Sequence, residues 1–233
     1  MSQRLLLSPA ELRAEFERRQ PWITMYRFGG ETYGGSFDYS VDPRLAQFAR
    51  HVHPRARVLE LGALEGGHTF MLATTPGVRE VIAIEGRAEN IEKAEFIRGV
   101  NGIENVRFIQ ADIRTLDLSQ FANIDAIFCS GVLYHLPEPW RLISQCPKIA
   151  PEIFIWTHYC PDESASETIN GYRVVRFNEI DTAVPQAGLQ PESLWLTLGG
   201  LVTLLMTAGY DQVRILELQR LPAGPAVLMT ASR

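Results

Sequence analysis

Lysine is nearly missing from this chain: of its 22 basic residues only Lys93 and Lys148 are lysine, which we read as codon bias and not chemistry. Cysteine is scarce as well. Cys129, Cys146 and Cys160 are odd in number, form no CxxC pair and lie in or beside apolar stretches, so neither a disulfide framework nor a zinc site is indicated, and a reducing cytosol fits best. No run approaches the roughly 18 apolar residues of a membrane span. Met1 to Leu7 offers three consecutive leucines before Ser8-Pro9, short of a secretory signal. The expectation is a cytoplasmic protein without a membrane partner. A large charge excess is also lacking: 22 basic against 27 acidic residues leave a net charge of -5. Strong nonspecific nucleic-acid binding is therefore not expected. Residues 1–57, however, carry nine Arg against six acids, so local contact with an RNA through that segment stays open. Repeats and low-complexity tracts are absent.

What is present is an ordinary globular composition, 46% hydrophobic and 21% charged over 233 residues, enough for one core. From Arg57 onward, short β-branched runs alternate with longer helical patterns, the mark of a parallel sheet wound with helices. The spacing predicts strands at 57–61, 80–85, 106–111, 124–130 and 152–157, and helices at 67–74, 87–100 and 138–148. A buried helix follows from Trp195 to its closing Gly209. Two last strands, about 212–218 and 225–231, are too close for a crossover helix and so form an antiparallel hairpin. The fold class is thus α/β, a doubly wound Rossmann-like sheet of seven strands.

Two stretches lie outside that scaffold. Residues 1–55 form an arm with helices near 9–19 and 43–52 and an aromatic loop between them. The 160–192 stretch forms a cap insertion, because connections that long are uncommon in compact domains unless functional or disordered. Both are candidate covers for a site built on the 56–233 domain.

The chemistry starts in Val58-Leu59-Glu60-Leu61-Gly62-Ala63-Leu64-Glu65-Gly66-Gly67, where an apolar strand ends in an acid and a glycine turn opens a helix. Glycines there permit positive φ and close approach of a ligand to the backbone. Glu85 ends the second strand, where a carboxylate accepts the hydrogens of ribose hydroxyls, and Asp112 follows the third. A pyrophosphate ligand wants GxGxxG and no nearby anion, whereas here the first glycines are four apart and Glu60 and Glu65 flank the turn. A dinucleotide is disfavoured; a ribose and adenine ligand with a cationic amino-acid end and no phosphate suits the same acids.

With those motifs, the chain over about 56–233 resembles the class I S-adenosylmethionine-dependent methyltransferases: ELGALEGG is similar to their glycine motif, AIEG to their ribose acid and QADI to their adenine-side acid. The resemblance implies a sheet of order 3-2-1-4-5-7-6 and S-adenosyl-L-methionine as cofactor, with S-adenosyl-L-homocysteine as product. It further implies that Glu60, Gly62, Ala63 and Gly66 border the methionine moiety, Glu85 and Gly86 the ribose, Asp112 and Ile113 the adenine, and Ser130 the sulfonium side.

Methyl transfer needs alignment and, for some acceptors, removal of a proton. Imidazole as a residue type titrates near neutrality, which makes His135, after the fourth strand, and His158, after the fifth, candidate bases; the alternatives are a packed turn histidine and a polar loop histidine. Tyr26, Tyr33, Tyr134, Tyr159 and Arg173 are candidate substrate contacts, the first two within an aromatic cluster that either covers the site or anchors the arm. No metal is expected, since Ser130 and Thr157-His158 stand where the metal-dependent members of this family carry oxygen ligands. The reading favoured is methylation of an oxygen or nitrogen on a small metabolite. The alternatives are an RNA-modifying methyl- or carboxymethyltransferase, from a short likeness of GVLYHLPEP and GYRVVRFNEI to the wobble-uridine carboxymethyltransferases of tRNA, and a catalytically silent cofactor-binding protein. Acceptor identity and oligomeric state are not encoded in any feature found.

Overall fold

The computed structural model describes residues 6–51, 56–179 and 183–233. Its first helix, α1 (Pro9–Arg18), opens on a complete capping box between Ser8 and Glu11 with proline in the first turn, and its buried Leu12 and Phe16 lie one turn apart on a single face. A hairpin follows, β1 (Met25–Phe28) against β2 (Glu31–Gly34), turned by Gly29 and Gly30 at positive φ. Asp42 then caps α2 (Pro43–Ala49), which ends sooner than the predicted 43–52; residues 52–55 lie outside the described residues.

The scaffold runs β3 (Ala56–Leu61), α3 (Gly67–Thr74), β4 (Val78–Glu85), α4 (Ala88–Asn101), β5 (Val106–Gln110), β6 (Ala126–Ser130), α5 (Pro139–Ile143), α6 (Cys146–Ile149) and β7 (Glu152–His158). The cap stretch contributes β8 (Glu167–Ile169), β9 (Tyr172–Asn178) and β10 (Glu192–Leu196), and the chain finishes with α7 (Leu198–Ala208), β11 (Gln212–Leu221) and β12 (Gly224–Ser232). The large sheet has seven strands in the order β5-β4-β3-β6-β7-β12-β11, the first five parallel, β12 antiparallel to β7 and β11 antiparallel to β12. Counted along the scaffold alone this is 3-2-1-4-5-7-6, the order expected from the sequence.

Period-two alternation splits the core into two layers. Leu59, Leu61, Ile127 and Cys129 face the layer that includes α7, while Val58, Ala126 and Phe128 face the layer with Phe48 of α2 and Leu72 of α3. A third cluster joins Phe16, Trp22 and Tyr33 of the arm to Phe96, Ile97 and Val100 of α4.

Two local expectations are corrected. The helix predicted over 138–148 is two helices, because Pro147 lacks the N–H that would continue the ladder and its ring crowds the preceding turn. Trp195 is not in the late helix but on β10. That helix begins only after Thr197, whose side chain accepts the Gly200 N–H at 3.1 Å. In the cap stretch β8, β9 and β10 form their own antiparallel sheet.

Candidate active site

The turn after β3 is shaped by what its glycines leave out. Gly62 has φ +78° and lies so close to the Val132 side chain that a Cβ would collide with it. The Gly62 and Ala63 N–H groups both donate to the Ile84 carbonyl at 2.9 Å, tying the turn to β4. Gly66, at φ +87°, caps α3, and a Cβ there would sit 2.6 Å from the Phe70 ring. The two acids flanking this turn face away from the cavity described below. Alternation puts Glu60 on the Val58 side, where it is buried and accepts the Thr69 hydroxyl, and burial pushes its carboxyl up to about 8. Glu65, fully buried, accepts the N–H groups of Ile23 (3.0 Å) and Thr24 (2.7 Å) and pairs with Lys93 at 2.9 Å, while its carbonyl accepts the Tyr26 hydroxyl.

Across the carboxyl ends of the parallel strands lies a cavity of about 740 Å³. It sits where the strand ends of an open α/β sheet place ligands. Gly62, Ala63, Glu85, Gly86, Asp112, Ile113 and Ser130 line it; Glu60 and Gly66 do not. Glu85 accepts N–H groups from Leu64 and Arg87, each at 2.9 Å, and the Asn90 amide at 3.3 Å; burial raises its carboxyl above the ordinary range in spite of these bonds. Asp112 is held below its ordinary range by Arg114, whose Nε lies 2.9 Å from it.

The further sequence candidates divide sharply. His135 and Tyr134 line the cavity, their rings 4.1 Å apart. His135 Nδ1 lies 2.6 Å from Glu179 Oε1. His158 is not on the wall: its ring is stacked on Trp195, Nδ1 meets the Pro225 carbonyl at 3.1 Å, and burial lowers its pKa. Tyr26 and Tyr33 belong to the packing that seats the arm on α1 and α4, Tyr159 is half-buried away from the cavity, and exposed Arg173 donates to the Asp162 carbonyl at 2.8 Å.

Other wall residues come from the two segments expected to cover the site, Phe37 and Tyr39 of the aromatic loop among them; Arg44 and Trp156 were not singled out. From the arm come Phe37, Tyr39 and Arg44, whose guanidinium lies 4.7 Å from the Trp156 ring centre and donates to Ser130 Oγ at 3.0 Å. The sheet adds Trp156, its Nε1 donating to Gln219 at 2.9 Å. From the cap, residues 185–189 cross the opposite side: Arg87 donates to the Ala187 carbonyl at 3.1 Å and Asn90 to that of Pro185 at 3.2 Å. The proline and glycine richness of this segment was the available signal; for Arg44 only the basic excess of the arm hinted at a role.

Two positive-φ glycines, Gly62 and Gly131, open the cavity floor to a ligand, and carboxylates stand over β4 and β5. That set fits a phosphate-free nucleoside with an amino-acid arm.

Comparison with known proteins agrees. A family model described as "Methyltransferase domain" matches residues 52–170. The N-terminal domain of EvdMO1, solved in the presence of S-adenosylhomocysteine and D-fucose, is 32% identical with a TM-score of 0.87, over 98% of this chain and 97% of that one. EvdMO1 itself is longer, and this chain covers 49% of it at 29% identity and a TM-score of 0.78. Among curated proteins, the uncharacterized methyltransferase YcgJ of Bacillus subtilis is 29% identical over 110 residues, 46% of this chain and 42% of its own. The tRNA (adenine(58)-N(1))-methyltransferase TrmI of Thermus thermophilus is 30% identical over 105 residues, 44% of this chain and 39% of its own. The matches thus span about two fifths of these two curated relatives. By its strand order, its cavity and these matches, the chain belongs to the class I S-adenosylmethionine-dependent methyltransferases.

Proposed function

We propose that this protein transfers the methyl group of S-adenosylmethionine to a hydroxyl of a small, sugar-like acceptor, with His135 as the base. The observation that carries the reading is the single cavity lined at one end by Glu85 and Asp112 and at the other by His135, Tyr134 and Trp156, with arm and cap residues on its sides. Enclosure of that kind suits a small acceptor better than a polymer. The EvdMO1 domain, solved in the presence of D-fucose, supports a hydroxylated acceptor.

The cofactor, when bound, supplies a methyl on a cationic sulfur that leaves as a neutral thioether. The chain supplies position and a proton acceptor. Glu85 is oriented for ribose hydroxyls by the two backbone donors it already holds, and Ile113 offers an apolar edge beside the adenine. Glu179 keeps the proton of His135 on Nδ1, so that Nε2 presents its lone pair to the acceptor hydroxyl and takes the proton as oxygen attacks the methyl carbon in line. Trp156 and Tyr134 wall that end with aromatic surface, and Gln219 adds a polar contact.

The test is turnover: S-adenosylmethionine with a panel of monosaccharides and hydroxylated metabolites in one arm and bulk tRNA in the other, read by S-adenosylhomocysteine release and product mass. A 14-dalton gain on a small hydroxylated acceptor, lost in His135→Ala, is expected. Methyl groups found only in RNA would replace this reading with the RNA-modifying one. Cofactor binding without turnover on any acceptor would leave a silent binding protein.

A further inference from the structure

We infer that Arg44, delivered by the N-terminal arm, anchors the carboxylate of the cofactor's methionine moiety. The inference rests on the cofactor reading above and adds a residue to it.

Along the carboxyl edge of the sheet the cavity meets Asp112 beyond β5, Glu85 on β4, Gly62 beyond β3 and Ser130 on β6. Glu85 and Ser130 are two strand spacings apart, about 10 Å. A nucleoside whose ribose sits at Glu85 therefore carries its amino-acid end toward β6. That end bears a full negative charge, and bringing a carboxylate into a cavity already lined by Asp38, Asp42, Glu85 and Asp112 is costly unless a cation meets it. Three arginines line the cavity. Arg114, paired with Asp112, and Arg87, donating to the carbonyls of Ala187 and Gly188, both stand at the nucleoside end. Arg44 is at the other.

Its guanidinium is set as a two-sided fork. The Nε edge faces Asp42, 2.9 Å from each carboxylate oxygen, and one terminal nitrogen on that side pairs with Asp42 as well. Asp42 is fixed in turn by His68 Nε2 at 3.0 Å, in the first turn of α3. The second terminal nitrogen donates to Ser130 Oγ at 3.0 Å, and the group lies over Trp156. Asp42 thus occupies one edge of the planar group. Beyond those bonds each terminal nitrogen keeps one N–H that a second carboxylate can accept. Pinning by Asp42, His68 and Trp156 means little side-chain freedom is lost when that carboxylate arrives.

The experiment is a binding comparison by calorimetry without any acceptor. Wild-type protein is titrated with S-adenosylhomocysteine and with its decarboxylated form, S-adenosyl-3-thiopropylamine, which keeps the nucleoside, thioether and amine. Loss of the carboxylate should weaken binding about 10- to 100-fold. In Arg44→Gln, S-adenosylhomocysteine should weaken by the same factor while the decarboxylated ligand stays within about threefold of wild type; Arg44→Lys should fall between. Equal affinity of wild-type protein for the two ligands overturns the inference with no variant needed. An Arg44→Gln that binds S-adenosylhomocysteine normally, or weakens both ligands alike, overturns it too. Wild-type protein that binds neither nucleoside would instead remove the cofactor reading itself, and this inference with it.

Discussion

Replacing Glu60 with glutamine should stabilise the free protein at alkaline pH and leave it nearly unchanged in acid. The buried carboxyl sits at about 8 against an ordinary 4.5, with burial the main cause and the negative charge of Glu85 adding to it. Because the folded pKa of this acid is raised, the folded state holds a proton that the unfolded chain has already released between pH 4.5 and 8. Wild-type stability therefore falls through that window, by about 1.4 kcal/mol per pH unit from this one group, and levels off above it. The full shift corresponds to a ceiling of about 5 kcal/mol. Glutamine cannot ionise, keeps the shape and still accepts the Thr69 hydroxyl, so the variant escapes the penalty. Urea unfolding of wild type and Glu60→Gln at pH 5, 6, 7, 8 and 9, without cofactor, measures it, and taking the difference cancels groups common to both proteins. A gain of at least about 2 kcal/mol at pH 9 with equal m-values is expected. Parallel stability curves, or a variant less stable at pH 9, would refute the assignment of Glu60 as a buried carboxyl held protonated near neutrality.

Gly62→Ala forces a side chain into positive φ and against Val132, so stability should drop by about 1–3 kcal/mol and S-adenosylhomocysteine affinity with it; adding Val132→Ala should restore part of the loss, and no restoration would leave the backbone conformation as the sole cause. Lys93→Ala strands the Glu65 carboxylate in a site with no exposure, at a cost of about 3 kcal/mol, and should open residues 20–40 to limited proteolysis. A protease pattern like that of wild type would mean the arm is held by its aromatic packing alone. Glu85→Ala should weaken S-adenosylhomocysteine by about 1–3 kcal/mol in a calorimeter, and unchanged affinity in a folded variant would remove Glu85 from the cofactor site.

The scaffold could be read from the chain because its signals are local. Alternation in Val58-Leu59-Glu60-Leu61 reflects two buried faces on one strand, and the glycine turn after it marks where the strand stops. Fixing the ends of successive strands also places Glu85 and Asp112 on one edge without any knowledge of tertiary contacts. The same locality explains the misreadings. Leu194, Trp195 and Leu196 are apolar in succession, which fits a buried strand or a helix face equally, and the Thr197 cap that separates them from α7 went unrecognised. Glu60 was assigned to the ligand by its place at the end of β3, yet the strand's own pleat turns it to the helix side, away from the crevice.

The two ends of the cavity differ in how they are built, and this decides what a sequence can say about them. The end with Glu85 and Asp112 is made by consecutive β-α steps, so residues near one another in the chain meet there: Leu64 reaches Glu85 across 21 positions within one such step. The end with Ser130 and His135 is met by two segments that are not steps of the scaffold. Arg44 meets Ser130 across 86 positions, and Glu179 meets His135 across 44. No periodicity couples such pairs; each exists because an arm seated by Glu65 and a small separate sheet deliver charge to the strand ends from outside. Substitutions in the arm or the cap can therefore change what is methylated while leaving the glycine turn and the ribose acid as they are. Exchanging residues 36–41 with those of a relative that uses another acceptor should shift acceptor preference with S-adenosylhomocysteine affinity held within about threefold, Asp42 and Arg44 being kept. Loss of cofactor binding in such a chimera, with the fold intact, would show that these segments do not divide the two tasks.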